Sequence, residues 1–237
     1  MRVRRVQLGC DTGEAAEGAG RHRELALLPY VDTVSIACGG HAGDDDSMLA
    51  IMSAAVEHHC GIGAHPSYPD RDGFGRRHIE ISRSALEASV SDQLRALSRI
   101  AESLGAAIEH VKPHGALYHD IASDPDLAVW LAGVFEQTIP KARIVLPVGS
   151  GSIEAIEHSG HLVAREGFCD RVYEPDGTLR ARALPDALID DAEHAAAQCV
   201  TLIQDKRCDL LCVHSDTPNA PSIAKAVRGQ LESLLGG

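Results

Sequence analysis

Apolar residues occur along this chain in short runs that are separated by longer segments with helical periodicity. The clearest helix is predicted for residues 84–104, where leucine, valine and alanine side chains recur on one stripe. Unbroken apolar runs of this length are typical of buried parallel strands. Seven such runs cover residues 3–8, 33–37, 61–64, 108–112, 143–146, 161–164 and 210–213. The alternation predicts a parallel sheet covered by helices, either open or closed into a barrel.

Two of the predicted helices carry capping signals. Ser84 and Glu87 match the S-x-x-E capping box, which satisfies free amides in the first helical turn. Gly105 stands where a helix end favours a residue with positive φ. Asp124 and Pro125 predict the start of another helix, because proline is favoured at the first helical position.

Charged or imidazole side chains follow most of the predicted strands. In a (β/α) barrel the carboxyl ends of all strands meet at one mouth, whereas an open sheet gathers only the residues near its switch point. We therefore predict an α/β fold, a single-domain (β/α) barrel of seven strands that spans residues 1–237. The residues expected at its mouth are Asp11, Glu14, His41, His65, Lys112, His114, His214 and Asp216.

A single histidine after a strand is more often structural than functional. Four histidines and Asp11 at five strand ends are better explained by one shared site. Eight further histidines lack this placement and are expected to be solvated or to serve packing. These are His22, His58, His59, His78, His110, His158, His161 and His194.

Composition excludes several classes of partner and compartment. The formal net charge of −12 disfavours nucleic acid and anionic membranes as partners, because both require a basic surface. There is no run of about 18 apolar residues and no apolar stretch near the N-terminus, so a cytoplasmic enzyme is expected. The seven cysteines include no C-x-x-C pair, which indicates free or buried thiols.

Three glycine-rich segments surround the polar residues, at 37–44 (ACGGHAGD), 63–77 (GAHPSYPDRDGFGRR) and 111–118 (VKPHGALY). Glycine permits positive φ and close approach of the backbone to a ligand. Tight turns between strands and helices explain the glycines and prolines. They do not explain Lys112, His114 or the Arg76-Arg77 pair.

These segments, with CDTGE at 10–14, CDRVY at 169–173 and CVHSDTP at 212–218, resemble the LamB/YcsF family. The resemblance runs from about residue 6 to the last helix. It implies a seven-stranded barrel of the glycoside hydrolase/deacetylase kind. It also implies the activity of the A component of 5-oxoprolinase, which opens 5-oxoproline to L-glutamate with ATP hydrolysis, together with B and C components.

Opening an unstrained lactam requires an attacking water, a base, a donor to the oxyanion and an acid for the departing nitrogen. We expect Asp11 and either His114 or His65 to surround the water. Lys112 would stabilise the oxyanion or bind a substrate carboxylate, and His41 and His214 would complete the mouth.

Substrate contacts are expected from a second group of residues. Arg76 or Arg171 would grip the substrate carboxylate, since a guanidinium binds a carboxylate through two hydrogen bonds. Asp170 or Asp216 would orient an imidazole tautomer. The full set expected to bind substrate is Glu14, Arg76, Asp170, Arg171 and Asp216.

Several residues depart from the family pattern. Gly9 and Ser35 replace asparagines, Gly40 an aromatic residue, His119 an asparagine and Ser215 a glycine. Loss of amide groups that both donate and accept hydrogen bonds changes which ligand a site can hold. A different lactam or a cyclic imide is therefore the alternative substrate.

Three other mechanisms remain open. A metal is the main competitor, because Asp11 and the mouth histidines are competent ligands. Without an H-E-x-x-H motif, we expect metal-free acid–base catalysis. A cysteine nucleophile, Cys10 or Cys38, would need a lowered pKa. The non-enzymatic alternative is a subunit that binds a small acid without turnover.

ATP is expected as a co-substrate, yet the sequence has no G-x-x-x-x-G-K-[ST] loop. The nearest segment, GSGS at 149–152, lacks the lysine that would reach the phosphates. Either partner subunits handle ATP or the mouth binds it in an unrecognised way.

Overall fold

Seven parallel strands close into a barrel in this computed structural model, which describes residues 6–15, 17–205 and 208–235. The strands are β1 (Gln7–Thr12), β2 (Thr33–Ala37), β3 (Gly61–His65), β4 (Ile108–Val111), β5 (Arg143–Pro147), β6 (Val163–Phe168) and β7 (Leu210–Cys212). The helices are α1 (Ala19–Leu25), α2 (Asp45–Glu57), α3 (Arg83–Ser103), α4 (Gly115–Ser123), α5 (Pro125–Thr138), α6 (Ile153–His158), α7 (Ala192–Gln204) and α8 (Ala220–Leu235). A short 3₁₀ helix (Leu28–Tyr30) follows α1.

Each strand pairs with the next in sequence, and β7 returns to pair with β1. The closing register places Gln7 opposite Leu210 and Gly9 opposite Cys212. All carboxyl ends therefore open at the same mouth. The predicted seven-stranded barrel is confirmed.

Pairing with neighbouring strands, rather than local apolarity, sets the strand bounds. The strand predicted at 3–8 runs through Gln7–Thr12, and residues 3–5 lie outside the described part. The strand predicted at 161–164 runs through Val163–Phe168. Asp11 pairs in register with Ser35, and Glu166 with Leu210. Polar residues that face the mouth thus continue both strands beyond their apolar runs.

The helix ends confirm some capping signals and correct one. Helix α3 begins after Ser82, whose side chain accepts a hydrogen bond from the amide of Ala85. The predicted capping box at Ser84 is wrong, because Ser84 already lies in the first turn. Gly105 has φ of 66°, as expected after the helix end. Pro125 occupies the first turn of α5, capped by Asp124 as predicted.

The helices bury their apolar stripes against the outside of the barrel. On α3 the predicted stripe is buried, with Leu94 and Leu97 fully inaccessible. Burial of each such leucine contributes about 1.5–3 kcal/mol to folding. No helix among the described residues is long and apolar enough to cross a membrane. This outer core holds the strand ends, and with them the mouth, in place.

Candidate active site at the barrel mouth

The carboxyl ends of the strands surround a cavity of about 290 Å³. Nine of the eleven residues predicted for the site line it, while His41 and Asp170 lie behind its wall. The nine are Asp11, Glu14, His65, Arg76, Lys112, His114, Arg171, His214 and Asp216. The sequence prediction that these distant residues meet at one mouth is confirmed.

A buried lysine joins two carboxylates on one side of the cavity. Lys112 Nζ lies 2.9 Å from both carboxylate oxygens of Asp11 and 2.7 Å from Glu166 Oε1. Burial opposes ionisation of Asp11, but His65 and Lys112 hold its pKa well below the ordinary value. Burial likewise opposes a charge on Lys112, yet Asp11 raises its pKa. Asp11 is therefore an ionised acceptor next to the cavity.

Glu166 was missed by the sequence analysis, which ended the sixth strand before it. The residue is fully buried, and Tyr118 donates a hydrogen bond to its Oε2 at 2.6 Å. Burial raises the pKa of Glu166, although Lys112 opposes this effect. The signal available in the sequence was a glutamate two residues beyond an apolar run. Because side chains alternate between the two faces of a strand, this spacing places the glutamate inside the barrel.

Three histidines and one glutamate form a cluster beside Asp11. Glu14 Oε1 lies 3.1 Å from His41 Nε2 and 3.1 Å from His114 Nδ1. His65 Nε2 lies 3.0 Å from His114 Nδ1 and 3.6 Å from Asp11 Oδ2. Burial opposes ionisation of Glu14, but the neighbouring His114 and His41 lower its pKa. Burial lowers the pKa of His65 to about 3, so this ring is neutral.

Backbone carbonyls fix the tautomers of two of these rings. His65 Nδ1 lies 2.6 Å from Lys112 O, and His114 Nε2 lies 2.9 Å from Phe74 O. A carbonyl only accepts, so each of these nitrogens carries the hydrogen. His65 Nε2 is then unprotonated in its neutral ring, and His114 Nδ1 faces Glu14 and His65.

His214 occupies a separate part of the mouth and is held by Asp170. Its Nδ1 donates to Asp170 Oδ1 at 2.9 Å, and its ring stacks on Phe168 at 5.4 Å. Burial disfavours the imidazolium, but Asp170 raises the pKa of His214 above its ordinary value. Asp170 also accepts from Thr217 Oγ1 at 2.6 Å. Asp170 is fully buried and does not line the cavity, so it is placed to hold the ring of His214 rather than to contact a substrate.

Arginines surround the outer edge of the cavity. Arg171 donates to the carbonyl oxygens of Ala187 and Arg180, so part of its guanidinium already holds the loop above the mouth. Asp216 pairs with Arg76 and Arg182, so of the two carboxylates expected to orient an imidazole it is Asp170 that contacts one. Arg180 and Arg182 line the cavity but were missed, because they lie in a loop without periodicity.

The cysteines are poor candidates for nucleophiles. All seven are buried and form no disulfide. Burial and the adjacent Asp11 raise the pKa of Cys10, and burial raises that of Cys38 to about 12. Both thiols are therefore protonated near neutral pH, against the cysteine alternative.

The departures from the family pattern lie mostly outside the main cavity. Of the five residues, all of them described, only His119 lines it. Gly9 is packed inside β1 against Thr33, and Ser35 Oγ lies 3.1 Å from His110 Nε2 in the barrel interior. Among these departures, His119 is therefore the one that bears directly on what the cavity can hold. The contact between Ser35 and His110 also confirms the packing role expected of that histidine.

The closed parallel barrel and the ionised groups gathered at its mouth define this chain as a (β/α)-barrel protein with an enzyme-like site at the carboxyl ends of its strands. The sequence model of the LamB/YcsF family matches residues 6–234, and the chain belongs to that family.

Relatives in this family are similar over nearly their whole length. A protein from Methylococcus capsulatus, named as the A subunit of 5-oxoprolinase, is 38% identical, and the match covers 97% of this chain and 93% of the relative. One of the same name from Chloroflexus aggregans is 39% identical, with 96% and 95% covered. The crystal structure of the lactam utilization protein from Thermus thermophilus is 34% identical, with a TM-score of 0.86 and 97% of each chain covered.

Proposed function

We propose that this chain is the hydrolytic component that opens the ring of 5-oxoproline to L-glutamate. The names of its full-length relatives and its membership of the family support this substrate. The observation that carries the proposal is the cavity in which an ionised Asp11 faces the unprotonated Nε2 of His65. Such a site holds a water molecule and accepts its proton.

The substrate is placed by its charge. Arg76 and Arg182 at the edge of the cavity bind the carboxylate of 5-oxoproline, which directs the lactam carbonyl inward. The attacking water lies between Asp11 and the cluster of His65 and His114. Lys112, held between its two carboxylates, faces the oxyanion that develops on the carbonyl oxygen.

His214 supplies the proton for the departing nitrogen. Its Nδ1 is bound to Asp170, which leaves Nε2 to donate toward the cavity. The raised pKa of His214 favours the imidazolium that this role requires. A protonated amine leaves readily, whereas an amide anion does not.

ATP hydrolysis and partner subunits belong to the same proposal. The relatives are named as one lettered component of 5-oxoprolinase, which supports an enzyme of several subunits. Because the sequence lacks a phosphate-binding loop, we place the handling of ATP on the B and C components.

Reconstitution with B and C components tests the proposal. The wild-type mixture is expected to form glutamate and ADP from 5-oxoproline, and His114→Ala to lower glutamate formation at least a hundredfold. His194→Ala, an exposed change on α7, is the control and should retain full activity. Equal activity of His114→Ala and wild type would contradict a catalytic mouth.

Substrate identity is tested in the same mixture. His119 replaces the asparagine of the family pattern and lines the cavity, which favours a different lactam or a cyclic imide as the second candidate. Opening of such a ring without any glutamate from 5-oxoproline would transfer the assignment to that substrate.

A further inference from the structure

We infer that the mouth of this barrel binds one divalent transition-metal ion, of the Zn²⁺ class, through His65, His114 and Glu14. The binding of the ion rests on geometry alone, while its catalytic use rests on the proposed function. This replaces the metal-free mechanism that the sequence favoured.

The distances among the three ligand atoms match a metal centre. His114 Nδ1 lies 3.0 Å from His65 Nε2 and 3.1 Å from Glu14 Oε1, and His65 Nε2 lies 3.7 Å from that oxygen. Ligands at about 2.05 Å from a tetrahedral ion are separated by about 3.3 Å. One small shift of each side chain therefore brings all three to bonding distance.

The orientation of the two rings also suits a cation at this point. His65 Nδ1 and His114 Nε2 face the carbonyl oxygens of Lys112 and Phe74, so the other nitrogen of each ring points toward Glu14. Two ring nitrogens and one carboxylate oxygen therefore converge on one point, which is the arrangement that a metal ion binds. Donation of the second ring N–H to a backbone carbonyl is also the usual support of a metal-binding histidine.

His41 supports the ligands without joining them. Its ring is stacked on that of His114 at 3.7 Å and 3°, so the in-plane lone pairs of the two rings run parallel and do not converge on one ion. Its Nε2 instead donates to Glu14 Oε1, and its buried Nδ1 has no hydrogen-bond partner. His41 thereby holds the carboxylate in position from behind the cavity wall.

A second group of potential metal ligands lies in the same mouth, but its negative charge is already balanced by Lys112. Asp11, Cys212 and His214 also lie close together, but Lys112 Nζ lies 2.9 Å from Asp11 and 3.4 Å from Cys212 Sγ. The ammonium supplies the positive charge there. The ion is consequently assigned to the cluster of His65, His114 and Glu14, whose ligand atoms form no ion pair with a lysine or arginine side chain among the described residues.

Three protein ligands leave the fourth position open toward the cavity, as in catalytic zinc sites. The ion would lower the pKa of a water bound there and so supply the nucleophile for the lactam carbonyl carbon. Asp11, whose Oδ2 lies 3.6 Å from His65 Nε2, would accept the proton of that water. His214 would donate a proton to the ring nitrogen as the C–N bond breaks, which gives the open amino acid.

Metal binding is tested directly on the full chain. Protein stripped with a chelator is titrated with Zn²⁺ by calorimetry and with Co²⁺ by absorption spectroscopy. We expect one equivalent of Zn²⁺ with a Kd below about 1 μM, and visible Co²⁺ bands of a low-coordinate site with nitrogen ligands. His65→Ala and His114→Ala should each weaken binding at least a hundredfold, whereas His119→Ala, in the same cavity, should leave it unchanged.

The outcomes separate this inference from the proposed function. Absence of stoichiometric binding, or equal binding by His65→Ala and wild type, would overturn the metal site whatever the enzyme activity. Metal binding without opening of any lactam would retain the site and remove the proposed function. If the alanine variants fail to fold, judged by circular dichroism, the wild-type Co²⁺ spectrum decides: octahedral bands with oxygen ligands alone overturn the assignment.

Discussion

Lys112 and Glu166 form an ion pair inside the barrel, with Nζ 2.7 Å from Oε1. The same ammonium contacts both oxygens of Asp11, so one cation serves two buried carboxylates. Removing one partner of a buried pair leaves the others without compensation. Lys112 is therefore needed both for the fold and for an ionised Asp11 at the cavity.

Lys112→Met is expected to lower the free energy of unfolding by about 3–5 kcal/mol and to abolish turnover. Adding Glu166→Gln should restore part of the stability, because one uncompensated carboxylate is removed, but should not restore turnover. Urea unfolding of both variants measures this, with the exposed Lys225→Met as control. A double variant no more stable than Lys112→Met would contradict the shared pairing.

The pairing of His214 with Asp170 predicts a pH dependence. Because the pKa of His214 is raised in the folded protein, its protonated form stabilises the fold fully below the unfolded value of about 6.5. This stabilisation is lost as pH rises through the folded pKa. The stability difference between wild type and His214→Asn should therefore shrink with increasing pH, as measured by urea unfolding across the pH range. A difference that grows with pH would contradict the assigned charge.

The sequence predicted the barrel and most of its mouth because both depend on local patterns. The second strand is found at its predicted bounds, and His65 and His114 follow strands whose apolar runs are clear. Glu166 was not predicted, because the sixth strand continues beyond its apolar run. Pairing with β7, which the sequence pattern does not show, extends the strand through this polar residue. Arg182 was not predicted for another reason, because residues in a loop show no periodic pattern.

Contacts that depend on three-dimensional packing were also beyond the sequence. The stacking of His41 on His114 places the first ring behind the cavity, although both histidines follow strands in the same way. The tautomers of His65 and His114 depend on carbonyls that lie 47 and 40 residues away. The preference for metal-free catalysis was formed without these contacts.

Gly115, next to His114, predicts a coupling between backbone geometry and activity. It has φ of 58°, and an added Cβ would lie 2.3 Å from the carbonyl oxygen of Gly75. Gly115→Ala should cost about 1–2 kcal/mol from backbone conformation alone, and more from the clash. It should also displace His114 and lower turnover at least tenfold.

Gly133→Ala is the matched control, because this glycine lies within α5 with open space around its Cβ position. Alanine should stabilise the helix there by about 0.5–1 kcal/mol and leave turnover unchanged. Thermal unfolding and glutamate formation are measured for both variants. Equal tolerance of the two substitutions would show that the turn beside His114 is not constrained.

The proposed division of labour among the components predicts that the chain alone forms little or no glutamate from 5-oxoproline. A five-membered lactam releases little ring strain, so its opening gains driving force from ATP, and the sequence has no recognised loop for the triphosphate. Glutamate and ADP are measured together in the three-component mixture and in mixtures from which each component is omitted. Glutamate should form only when all three components are present, and its amount should be proportional to the ADP formed. Efficient opening by the chain without nucleotide would identify a stand-alone hydrolase, and ADP formation by the chain alone would place the nucleotide in its own mouth.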